Sequence, residues 1–191
     1  MRAIGWLFPL CLLAACAVHS IERPRPGDTE SERAAKTLAS VRSLGSDGDW
    51  LVIRGYHATD NMVSSLTNMP FSHAAVLDRS ADQVIEAESA GVHTSSLADF
   101  VAKSQRLMLI RPVWAEAGTG AIALARARSL VGRPYDFLGL IGFSIPEQYY
   151  CSELAVEVYR PYARRDDVIP RPVAPGQLHY WGRVLFDSGA R

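Results

Sequence analysis

Phe71-Ser72-His73-Ala74-Ala75-Val76-Leu77-Asp78, followed after Arg79-Ser80-Ala81-Asp82 by Gln83-Val84-Ile85-Glu86-Ala87, is the stretch that decides the fold. Two short apolar runs separated by four small or polar residues spell a β-hairpin. Ser72 and His73 open the first run, which puts them at the rim of a strand, where a cleft can form. Glu86 interrupts the second run. One hairpin after His73, it is expected to project beside that histidine from the adjacent strand.

Upstream, Thr29-Glu30-Ser31-Glu32 has capping-box spacing, and Arg33 to Leu44 suits an amphipathic helix. Gly45 to Asp49 forces a turn, and Trp50 to Arg54 reads as a strand. Residues 55–70 show no periodicity and are expected to form a loop or short helix beside the site. Downstream, Gly91-Val92-His93-Thr94 continues the meander, and Ser96-Leu97-Ala98-Asp99 caps a short helix reaching about Lys103. Leu107 to Val113 is a strongly apolar strand. An alanine-rich helix over 121–131 stops at Gly132-Arg133-Pro134. Cys151 opens a further helix over 152–160, ended by Pro161, and His179 to Phe186 is expected as an edge strand. Strands and helices segregate rather than alternate, so the class is α+β, an antiparallel strand cluster packed against helices.

The N-terminus is of another kind. Arg2 precedes an apolar run from Ile4 to Ala15, too short to span a bilayer permanently and typical of a signal peptide over 1–15. Leu13-Ala14-Ala15-Cys16 resembles a bacterial lipobox, with Cys16 as the acylated residue and membrane anchor. Ala17, rather than aspartate, resembles the arrangement sorted to the outer membrane, facing the periplasm. Residues 16–28, rich in proline and charge, read as a tether, and 29–191 as one folded domain. The 20 basic and 20 acidic residues balance. Without a basic cluster, a nucleic-acid partner is not expected. Oligomeric state is not legible.

After export and acylation of Cys16, Cys151 is the single remaining free thiol, so no internal disulfide explains it. Its competing readings are a nucleophile or a small buried residue of a core helix. At a helix start the thiolate is favoured by free N–H groups and the helix dipole. His73 is the expected base, against the alternative of a satisfied core histidine; His57, His93 and His179 are weaker choices. Glu86 is the expected group that orients the histidine, with Asp136 as its competitor or as organiser of the loop before Cys151. Tyr150 is an oxyanion candidate that core stacking explains equally well. Glu153 is expected at solvent or paired with an arginine. With no Cys-x-x-Cys or His-Glu-x-x-His pairing, neither metal nor cofactor is expected.

Gly48-Asp49-Trp50-Leu51-Val52, Phe71-Ser72-His73-Ala74-Ala75-Val76, Val84-Ile85-Glu86-Ala87, Gly132-Arg133-Pro134-Tyr135-Asp136 and Tyr150-Cys151-Ser152-Glu153-Leu154 occur in that order. Together, over residues 44–160, they resemble the YiiX/YebB-like branch of the NlpC-type, papain-like cysteine hydrolases. The resemblance implies a circularly permuted papain-like fold, in which the histidine strand precedes the cysteine helix. It also implies Cys151 as nucleophile, His73 as base and, less firmly, Glu86 as third group. The expected activity is that of an envelope cysteine hydrolase, a peptidase or amidase that cleaves a peptide or lipid-linked amide through an acyl-enzyme. The alternatives are a lipid acyltransferase or thioesterase of the same fold, and a non-catalytic envelope lipoprotein that binds a peptide or lipid. Fold alone does not choose among them.

Overall fold

The computed structural model describes residues 28–56, 70–115 and 118–189, and the hairpin lies near the middle of its sheet. The strands are β1 (Trp50–Gly55), β2 (His73–Asp78), β3 (Gln83–Glu88), β4 (Gly91–Ser96), β5 (Ser104–Pro112) and β6 (Gly182–Asp187). They form one six-stranded sheet in the order β4-β3-β2-β1-β5-β6. Each neighbouring pair is antiparallel. The helices are α1 (Asp28–Leu44), α2 (Leu97–Ala102), α3 (Thr119–Ser129) and α4 (Cys151–Glu157). This is the α+β architecture expected, with an antiparallel sheet packed against helices.

Both sheet faces are covered, which explains why β2 is buried along its whole length and reads as an almost continuous apolar run. On one face Trp50, Val52, Ala74, Val76 and Ile85 pack with Leu124 and Ala127 of α3 and Leu154 and Ala155 of α4. On the other, Leu51, Ile53, Ala75, Leu77 and Val84 pack with Val41 of α1 and Leu97 and Phe100 of α2. Fully buried Leu51 and Ile53 each contribute about 1.5–3 kcal/mol of transfer free energy. The Trp50 indole donates to the Ala155 carbonyl at 2.9 Å, tying α4 to the central strand.

Several boundaries differ from the sequence reading. The first helix starts at Asp28, ahead of the expected Arg33. β5 begins at Ser104, where pairing with Gly55 across an irregularity at Arg54/Gly55 extends it beyond its apolar centre. The last strand begins only at Gly182, because Pro175–Trp181 close into a 3-10 turn in which His179 Nδ1 donates to the Gly176 carbonyl. Ser96 does cap α2, accepting from the Asp99 N–H at 3.0 Å. The signal segment, Cys16 and residues 57–69 of the expected loop lie outside the described residues.

Candidate functional site

Strand register gathers the site. Ala75 pairs with Glu86 and Glu86 pairs with His93. Side chains two apart share a sheet face, so His73, Glu86, Glu88 and His93 stand on one face across three strands. That face is roofed by α2. Phe100 brings its ring to 5.9 Å from the His73 ring, and Lys103, the residue that caps α2, lies 5.0 Å from the Phe100 centroid.

The polar contacts are short and asymmetric. His73 Nε2 lies 2.6 Å from Glu86 Oε2. Lys103 Nζ donates to Glu86 Oε2 and to Glu88 Oε1, each at 2.7 Å. His93 Nε2 stands 3.7 Å from Glu86 Oε1 and 3.7 Å from Glu88 Oε2. Glu86 is fully buried, yet its Oε1 has no hydrogen-bond partner. One ligand-type atom from each of His73, Glu86 and Glu88 falls within 4.8 Å of the others.

Burial by itself would favour the neutral forms here, and the neighbours overturn it. Burial pushes His73 down, but hydrogen bonds to Cys151 and Glu86 carry it up to about 10. Burial pushes Glu86 up, while His73 and Lys103 hold it at about 2. Burial likewise favours the Cys151 thiol, and the hydrogen bond and charge of His73 bring it below its ordinary value.

Cys151 is the first residue of α4 and is buried, with its side chain hydrogen-bonded to His73. The structure thus brings Cys151, His73 and Glu86 together. Tyr150 is also buried, and its hydroxyl accepts the Val173 N–H at 2.9 Å. Buried Asp136 accepts from Gly139 N–H at 2.8 Å and Ile145 N–H at 2.9 Å, holding the segment between them. Glu153 departs from its expected solvent position: it is buried, and Ser144 Oγ donates to it at 3.2 Å. Glu88 and Lys103 were not anticipated, and His93 was ranked low. Glu86-Ala87-Glu88, two acids at strand period, was the available signal for Glu88.

A family model described as permuted papain-like amidase enzyme, YaeF/YiiX, C92 family, matches residues 46–167. Among solved structures the chain is similar to the crystal structure of metalloprotein yiiX from Escherichia coli O157:H7. The identity is 16% and the TM-score 0.56, covering 78% of this chain and 98% of that one. A comparison with curated proteins found no match.

The expectation of an envelope hydrolase that cleaves amides through a Cys151–His73–Glu86 acyl-enzyme site is corrected on two findings. His73 and Glu86 belong with Glu88 to a group of metal-ligand spacing. Glu86 Oε2 also accepts from Lys103, which bridges to Glu88, so this carboxylate is not dedicated to orienting one histidine. A search for close-spaced motifs does not reveal this group, for a topological reason: its ligand-type atoms are gathered across a hairpin, not along one helix.

Proposed function

Because the chain belongs to the permuted papain-like amidase family, we propose that it is a metal-binding member, with a divalent cation held by His73, Glu86 and Glu88. The observation that carries this reading is the mutual approach of their ligand-type atoms within 4.8 Å. A buried carboxylate oxygen without a hydrogen-bond partner, Glu86 Oε1, fits the role of a cation ligand. Imidazole nitrogen with carboxylate oxygen is a donor set suited to zinc or manganese. Such an ion, when bound, supplies Lewis-acid polarisation of an oxygen ligand. Cys151 is a positioning residue in this reading, its hydrogen bond helping to hold the His73 ring.

For the peptide- or lipid-binding alternative, the support lies in another part of the fold. The segment fixed by Asp136 exposes Phe137, Leu138, Ile141 and Phe143, an apolar rim for a peptide or lipid. The lipobox ending in Cys16 supports an outer-membrane lipoprotein facing the periplasm, and an unmodified Cys16 in mass spectrometry of the mature N-terminus would overturn that assignment.

The test of the cation site is calorimetric titration of zinc into the metal-stripped full chain, held in detergent micelles. Stoichiometric binding is expected in the wild type and its loss in Glu86→Gln. A wild type that takes up no zinc or manganese would overturn the reading.

A further inference from the structure

His93 has no assigned role, yet its ring is arranged as a metal-ligating imidazole usually is. Its Nδ1 lies 3.1 Å from the Gly91 carbonyl. A carbonyl only accepts, so Nδ1 carries the proton and Nε2 is left as the lone-pair atom of the neutral ring. Ligating histidines characteristically donate their other ring N–H to such a carbonyl, which fixes tautomer and orientation.

That nitrogen lies near two carboxylate oxygens. His93 Nε2 is 3.7 Å from Glu86 Oε1 and equally far from Glu88 Oε2, too far for hydrogen bonds. Two bonds of about 2.1 Å at a tetrahedral angle set their outer atoms about 3.4 Å apart, so the separations suit atoms sharing one small ion. The remaining carboxylate oxygens are already used. Glu86 Oε2 meets His73 and Lys103, and Glu88 Oε1 meets Lys103. Glu86 Oε1, by contrast, is buried within a fully buried side chain and has no partner.

We propose that His93 is a ligand of the bound cation, brought in by β4 on the side of the carboxylates away from Lys103. This rests on the metal-binding reading above: His93 lies outside the 4.8 Å group of His73, Glu86 and Glu88 and would join it through the carboxylate oxygens that face it. The His93 side chain is 36% exposed, so an ion arriving from solvent meets it before the buried Glu86. Lys103 need not leave: it neutralises one oxygen of each carboxylate while the opposite oxygens face His93.

The experiment is zinc titration by calorimetry on the metal-stripped full chain, comparing wild type with His93→Ala and His93→Gln, with circular dichroism to verify folding. In parallel, the imidazole nitrogen resonances of the wild type are followed as zinc is added. Affinity is expected to fall by about 100-fold in both variants, with the His93 Nε2 resonance moving on binding and the Nδ1–H retained. Wild-type binding with unchanged affinity in the folded variants would overturn the His93 assignment and leave the metal site standing. No binding by the wild type would overturn the metal reading itself, and this inference with it.

Discussion

Asp49 and Glu86 are both fully buried carboxylates on the same sheet, and they are treated in opposite ways. Asp49, just before β1, accepts Arg111 Nε on one oxygen at 3.0 Å and Arg111 Nη2 on the other at 2.8 Å. Its second oxygen also takes the Ser46 N–H at 2.8 Å. Glu86 has two donors crowded on Oε2 and none on Oε1. A buried charge with both oxygens committed is an element of structure. One with an unused oxygen, facing a second carboxylate and an imidazole, is a site that holds capacity for a cation. The two ends of the sheet therefore predict different responses to the same kind of damage.

The largest effect is expected from Lys103→Met. It removes the ammonium that bridges Glu86 and Glu88, leaving a wholly buried carboxylate with less compensation, and should lower metal-free stability by about 3 kcal/mol. Zinc should restore much of that loss, since an ion that binds the folded state alone adds stability by mass action. Urea melts with and without zinc measure both. A variant that zinc leaves unstable would break the comparison. Asp49→Asn should cost less, about 2 kcal/mol, because the freed Arg111 still reaches water. Zinc added to that variant should contribute no more than it does to the wild type. A specific rescue there would mean that unspent lone pairs are not what separates the two ends.

Much of this was legible because it is local. The β2–β3 hairpin follows from two short apolar runs around a polar turn, and α2 from Ser96 capping Asp99. His73 and Glu86 could be paired in advance because adjacent strands leave few choices. The rest depends on information that spacing along the chain does not carry. His93 becomes a partner of Glu86 only through β4 register. Lys103 is ordinary at the end of a helix until the helix is laid across the sheet. Glu153 follows Cys151 in a polar-looking run, and its burial is set by the segment that Asp136 folds over it. Even the late edge strand was misread at its start, because a proline-led 3-10 turn consumes His179 to Trp181.

Glu153 sharpens the comparison from a third direction, with the smallest effect. Like Glu86 it is buried and has an unpartnered oxygen, Oε2. Unlike Glu86, whose unpartnered oxygen lies 3.7 Å from the His93 imidazole, Glu153 has its side-chain contact with the Ser144 hydroxyl. Burial pushes its carboxyl above the ordinary value, with the Ser144 hydroxyl opposing. A carboxyl whose folded pKa is raised destabilises the fold when ionised. The penalty is absent below the unfolded value of about 4.3, grows as pH rises through the window above it, and is complete past the folded value. Glu153→Gln should therefore change stability little in acid and add about 1 kcal/mol at pH 8, read from urea melts at both pH values. A gain of equal size in acid would assign it to packing rather than charge. A loss at pH 8 would mean that the ionised Glu153 is held by a partner, and that an unspent oxygen in this fold does not by itself signal cost or capacity.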